Sequence, residues 1–145
     1  MSQQLKTPTL IDVRGPRFSA TITVIVLAIA LATQNAWVLA LQAVVFAIGA
    51  IRGPQFTPYA FIFKRVVKPR LRGEVVTEDS RPPQFAQAVG FIFALLGLLG
   101  AAIGSSLVFG IAVGFALAAA FLNSVFNYCL GCEMYLLVLR IRTRS

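Results

Sequence analysis

Four long apolar runs, each bounded by a short polar break, set the reading of this chain. The first extends from Phe18 to Thr33, stops at the polar "TQNA", and resumes from Trp37 to Ile51. A third covers Phe85 to Ile103, and after "GSS" a fourth continues from Leu107 to about Phe126. A helix needs roughly 20 apolar residues to cross a hydrocarbon core, with a range of about 17 to 25. The first two runs are short as counted, and they reach that length when a few flanking residues join each helix. The pattern predicts an all-α integral membrane protein with four transmembrane helices in two tight hairpins. The alternative is a buried pair of soluble core helices, but too little polar sequence remains to cover such a core.

A repeat divides the chain in the same place. "DVRGPRF" (Asp12 to Phe18) precedes the first run and "DSRPPQF" (Asp79 to Phe85) precedes the third, and both fit D-x-R-x-P-x-F. Each copy leads into an apolar hairpin, and each hairpin into an aromatic and then basic stretch. One two-helix unit is thus the repeat, about residues 11–72 and 78–142 of a single membrane domain covering 1–145. An even number of spans per unit gives both copies the same orientation, related by an axis along the membrane normal. The expected architecture is a pseudo-symmetric two-plus-two bundle with cytoplasmic interfacial segments. Within the motif, Pro16 or Pro83 suits a first helical turn, and the upstream Asp can cap the start or pair with an Arg. These residues read as architectural; the functional alternative is a cytoplasmic charge network of Asp12, Arg14, Asp79 and Arg81 around the axis.

Composition strengthens the membrane reading. Hydrophobic residues make up 58% of the chain and charged ones 12%, against ~25% charged in soluble domains, and mean hydropathy is +0.82. All 13 Lys and Arg residues precede the first run, lie between the second and third, or follow the fourth, and neither short turn carries one. By the positive-inside rule both termini and the central loop are expected in the cytoplasm, with the protein integral to the plasma (inner) membrane. The first seventeen residues are polar and no small-residue cleavage site closes the first run, so that span is expected to remain in the mature protein. The same topology accounts for the basic pI, so no nucleic-acid partner is expected. Between Thr57 and Arg72, aromatics followed by cations suit a segment lying at the interface near anionic lipid.

Inside the spans, "GAAIG" (Gly100 to Gly104) and "GIAVG" (Gly110 to Gly114) are small-xxx-small patterns that predict close contact of the third and fourth helices. Gln42, Gln87 and Asn123 read as interhelical hydrogen-bond partners. No span holds a charged residue near its middle, which argues against a proton pump or an ion-coupled transporter. Histidine is absent, which excludes hydrolase triads and zinc-protease motifs. No cofactor is expected.

The remaining chemistry is in "FNYCLGCEMY", which holds the only two cysteines, Cys129 and Cys132. Residues three apart share a helix face, and a C-x-x-C turn also brings sulfurs together, so a disulfide or a shared metal is locally accessible. A purely structural bridge is not expected in a reducing cytoplasm. Three readings stay open: a redox or sulfur-handling dithiol, a metal pair completed by a homodimer or a partner protein, and two inert packing thiols. An unbroken helix from Leu107 to Arg140 would run ~51 Å, well beyond a ~30 Å core, so a break is predicted at "CLGC", with the pair at the cytoplasmic mouth of the fourth helix. By the repeat, Cys132 is expected to fall where Pro58 stands in the first unit.

The ordered set "IDVRGPRF", "ALQAVVFAIGAIRGPQFTPYAFIFKRVVKPRL", "EDSRPPQFAQAVGF" and "NYCLGCEMY" resembles the bacterial integral membrane family catalogued as domain of unknown function 4395, from about Ile11 to Arg140. The resemblance implies a four-helix membrane protein without an assigned activity. Some members resemble neighbours of rhodanese-like and thioredoxin-like genes, which tilts the reading toward thiol or sulfur exchange with a cytosolic protein of that kind through Cys129 and Cys132. The competing function is a non-catalytic membrane subunit or scaffold that holds a partner or anionic lipid.

Overall fold

The computed structural model describes residues 10–70, 77–126 and 129–144. A short strand, β1 (Leu10–Asp12), leads into α1 (Arg14–Thr33) and α2 (Ala36–Ile51). A 3-10 turn (Pro54–Phe56) and the short helix α3 (Pro58–Ile62) follow, continued by a wider π turn (Phe63–Val67) and a second 3-10 turn (Lys68–Arg70). The second half repeats the order with β2 (Thr77–Asp79), α4 (Arg81–Ala102), α5 (Ser106–Phe126) and α6 (Leu130–Arg144).

Local sequence fixes where these helices end. Gln34 closes α1 in a left-handed conformation (φ 53°), and the Asn35 side chain then opens α2 by accepting the Trp37 N–H at 2.9 Å. At its other end α2 meets Gly53 at φ 117°, a conformation that glycine adopts without strain, followed by Pro54, which has no N–H to continue the ladder. Gly104 (φ 76°) and the Ser105 hydroxyl, which accepts the Val108 N–H at 3.2 Å, turn α4 into α5.

Helices α1, α4 and α5 are each long and apolar enough to cross a membrane. Helix α2 is not: its 16 residues span about 24 Å, against a core of ~30 Å. Flanking residues lengthen the first run, as expected, because Arg14 to Arg17 join α1. They do not lengthen the second, because the Asn35 cap and the Gly53–Pro54 stop bound it on both sides.

Helix α4 packs between α2 and α5, α1 packs on α5, and α6 docks on α4. The centre is filled by Leu27, Leu39, Phe46, Phe109 and Val113 with small alanines between them. Large apolar side chains also cover the outside, among them Ile25, Leu41, Ile92, Leu99, Ile111 and Phe115. An exposed apolar belt around a packed apolar core is what a bilayer-embedded bundle requires.

Of the glycines expected to bring α4 and α5 together, Gly100 does so, joined by Gly97 from outside the pattern, whereas Gly104 has nothing within 4 Å. A Cβ on Gly100 would meet the Phe109 backbone nitrogen at 2.7 Å, and one on Gly97 the Leu39 side chain at 2.7 Å. Gly110 and Gly114 have nothing within 4 Å. They lie away from the buried side of α5, which is built from Phe109, Ala112, Val113 and Ala116, so "GIAVG" does not form the α4–α5 contact.

An element absent from the helical expectation joins the two halves. Strands β1 and β2 pair antiparallel, Leu10 opposite Asp79, Ile11 opposite Glu78 and Asp12 opposite Thr77. The segments before the two D-x-R motifs therefore lie side by side at one end of the bundle, with the first residues of α1 and α4.

Candidate functional site

Helix α5 ends at Phe126 and α6 begins at Leu130, so the expected break falls around "CLGC". Cys129 stands immediately before α6 and Cys132 in its first turn, both half-buried. The two are joined by a disulfide with 5.1 Å between their α-carbons. The expectation that the sulfurs lie close enough to bridge holds, and the pair is bonded.

The bond sits at the mouth of a helix. Cys129 Sγ accepts the Cys132 backbone N–H at 3.1 Å, occupying one of the donors that a helix leaves without an internal partner at its start. In the first half, Thr57 does the same for α3, its hydroxyl accepting the Ala60 N–H at 3.2 Å. This shared cap matches Cys129 with Thr57 and Cys132 with Ala60, two positions beyond the expected Pro58.

Three contacts hold the cysteine turn against the bundle. A Cβ on Gly131 would lie 2.6 Å from the α-carbon of Ala86, so α6 can approach α4 this closely only with glycine there. Next to it the Phe85 and Tyr135 rings pack at 5.6 Å. On the α5 side the Arg17 guanidinium donates to the Ser124 and Val125 carbonyls at 2.9 and 3.3 Å, satisfying carbonyls in the last turn of α5 just ahead of the pair. The role of Arg17 is not visible in the sequence, because its partners are more than a hundred residues away.

The first half carries matching contacts. Phe18 and Phe63 pack at 5.7 Å, and Gln84 Nε2 donates to the Ala50 carbonyl near the end of α2 at 2.8 Å. Phe18 and Phe85 hold the same position in the D-x-R-x-P-x-F motif, and so do Arg17 and Gln84.

Of the charge-network residues, the structure joins Asp12 and Arg14. Arg14 donates to Asp12 through its backbone N–H, Nε and Nη2 at 3.0, 3.1 and 2.8 Å, so Asp12 both receives the first turn of α1 and pairs with its arginine. Lys68 adds a longer ion pair at 3.7 Å. Arg81 opens α4, and the Asp79 side chain lies outside the described residues. The Arg14 side-chain hydrogen bond holds the Asp12 carboxyl below its ordinary 3.8, against the opposing effect of burial. Because the folded pKa is the lower one, this stabilisation is complete above about pH 5 and is lost as pH falls through the folded value. Thermal melts in detergent should therefore show wild type losing stability in that acidic window relative to Asp12→Asn, whose difference from wild type should be pH-independent above about pH 5.

Of the polar residues in the spans, Gln42 is fully buried and accepts the Tyr59 hydroxyl at 2.7 Å. Gln87 packs on Gly49, and Asn123 is half-buried. Among the described residues no group of three or more His, Cys, Asp or Glu side chains could hold a metal.

The family model described as domain of unknown function (DUF4395) matches residues 11–140. No curated protein and no solved structure matches the chain.

Proposed function

Because the chain belongs to that family, whose description carries no activity, we propose from the site itself that Cys129 and Cys132 form a dithiol–disulfide couple. It exchanges electrons or sulfane sulfur with a cytosolic thioredoxin-like or rhodanese-like protein. The observation that carries this reading is a disulfide placed at a helix start, half-exposed, at a break in the chain.

Cys129 is the attacking sulfur in this reading. Once the pair is reduced, a Cys129 thiolate can keep the Cys132 N–H and the positive end of the α6 dipole, both of which favour the ionised form. The thiolate attacks one sulfur of a partner disulfide, forming a mixed disulfide and expelling the partner's other sulfur as a thiolate. Cys132, deprotonated, then attacks Cys129, restoring the Cys129–Cys132 bond and releasing the second partner thiolate, so two electrons pass to the partner. With a partner persulfide, Cys129 takes the outer sulfur and the partner leaves as a thiolate. Attack by Cys132 on the Cys129 sulfur then closes the disulfide and expels hydrosulfide. A reducing dithiol resets the couple by the reverse exchange.

The membrane arrangement belongs to the same proposal. Strands β1 and β2 pair directly, so α1 and α4 start at one end, and a 20-residue α1 that leaves that end requires α2 to return to it. On this reading α2 is a fourth, short span accommodated by local thinning. The cations among the described residues then fall at the end that holds the strands and the cysteines, which the positive-inside rule assigns to the cytoplasm of the inner membrane. A two-fold axis along the membrane normal, passing between Ile11 and Glu78, is supported by the strand register, the two ring pairs and the two capped helix ends.

The test is trapping. Reduced protein in detergent is treated with oxidised glutathione and the adducts are read by intact mass. Cys132→Ser should accumulate a glutathione adduct on Cys129, Cys129→Ser should form one about tenfold more slowly, and wild type should pass through it to the two-hydrogen-lighter disulfide. Equal, slow labelling of both variants would remove the exchange reading and leave the scaffold.

A further inference from the structure

A second place in the fold has the chemistry of a ligand site and shares no residue with the cysteine pair. At the same end of the bundle, a partly enclosed crevice of about 190 Å³ lies between β1, the start of α1 and the Pro54–Arg70 segment. Ile11, Pro16, Pro54 and Phe63 give it apolar walls, and Lys64 and Lys68 also line it.

The charges around it do not cancel. Among the described side chains that line it, Asp12 is the carboxylate, and both of its oxygens are engaged by Arg14. Lys68 Nζ stands 3.7 Å from Asp12, too far for a hydrogen bond. Lys64 Nζ spends one of its three donors on the Gln55 carbonyl, at 3.1 Å. Among the described side chains at the crevice, three cations (Arg14, Lys64 and Lys68) stand against one carboxylate, and the two ammonium groups have donors to offer. The volume is below the roughly 300–1,000 Å³ of pockets that enclose a drug-sized molecule, so a whole cofactor does not fit, whereas a single phosphate ester does. Beside the crevice, Phe61, Ile62 and Val66 are exposed apolar residues of the same segment, which suits a ligand that is charged at one end and apolar at the other.

We propose that this crevice binds the phosphate headgroup of an anionic phospholipid, with Lys64 and Lys68 as the phosphate ligands and the acyl chains remaining in the bilayer. The site is independent of the cysteine couple, so either proposal can fail alone.

Native mass spectrometry of the full chain, delipidated in a neutral detergent and titrated with phosphatidylglycerol or phosphatidylcholine, tests it. Wild type should retain one phosphatidylglycerol in preference to phosphatidylcholine. The double variant Lys64→Gln/Lys68→Gln should lose about thirtyfold in phosphatidylglycerol affinity. Lys64→Arg/Lys68→Arg should retain most of it, and Arg65→Gln/Arg70→Gln, which removes the same charge outside the crevice, should stay within about threefold of wild type. Equal losses in the two glutamine pairs would reduce the effect to general surface charge and overturn the site. So would absence of a lipid preference, and displacement by glycerol phosphate at concentrations matching the lipid would overturn the lipid as its ligand.

Discussion

Replacing Gly131 by valine is expected to separate the start of α6 from α4 and to loosen the cysteine turn. Even a Cβ at this position would stand 2.6 Å from the α-carbon of Ala86, and backbone, unlike the far end of a side chain, cannot step aside by changing rotamer. The helix must move or its neighbour must bend, and overpacking of this kind costs about 1–3 kcal/mol. Helix α6 touches α4 and, more weakly, α5, with the Phe85–Tyr135 ring contact beside the glycine. The displacement should therefore appear locally, as faster tryptic cleavage at Arg140 and faster alkylation of the reduced cysteines, with little change in the melting of the main bundle. Gly110→Val is the control, since nothing lies within 4 Å of that position. Equal behaviour of the two variants would mean that the α4–α6 contact does not position the pair.

The features that could be read from the sequence are those that depend on neighbours along the chain. Apolar run length gave α1, α4 and α5, because a spanning helix must carry its hydrophobic residues consecutively. The break before α6 followed from the same arithmetic. The features that escaped depend on distant partners. Three-residue strands have no pattern of their own, and Leu10–Asp12 becomes a strand only because Thr77–Asp79 lies beside it. Arg17 looked like one more cation before a span until Ser124 and Val125 came to it. The spacing of Gly110 and Gly114 shows that they share a face of α5, but not that this face looks away from α4. Helix α2 was overextended because hydropathy does not register a stop made by a left-handed glycine and a proline. At the cysteines, spacing supplied the pair and the break, while the capping bond and the glycine contact that orient it needed the fold.

Removing the hydroxyl of Tyr59 is expected to cost more than removing the whole amide it serves. Gln42 is fully buried in α2, and its Oε1 has the Tyr59 hydroxyl as its partner, while its Nε2 has no partner among the described residues. Tyr59 is itself buried, and burial raises its phenol above its ordinary value, so it remains a neutral donor. Tyr59→Phe would leave both ends of a buried amide unsatisfied, at about 1–3 kcal/mol for the newly orphaned acceptor. Gln42→Leu instead replaces the amide with an apolar group of similar size and removes the unpartnered nitrogen together with the oxygen. The Tyr59 hydroxyl then loses its acceptor, so this variant orphans one buried donor in place of another, whereas Tyr59→Phe orphans an acceptor in addition to the unpartnered Nε2. Gln42→Leu should therefore melt within about 1 kcal/mol of wild type, since polar contacts between membrane helices average only ~0.6 kcal/mol. Adding Tyr59→Phe to Gln42→Leu should cost much less than it does in wild type, because the acceptor it would orphan is already gone. Thermal melts of the four proteins in one detergent give this cycle directly. If Gln42→Leu proves more destabilising than Tyr59→Phe, the unpartnered nitrogen has a partner, and the amide is held for more than its bond to Tyr59.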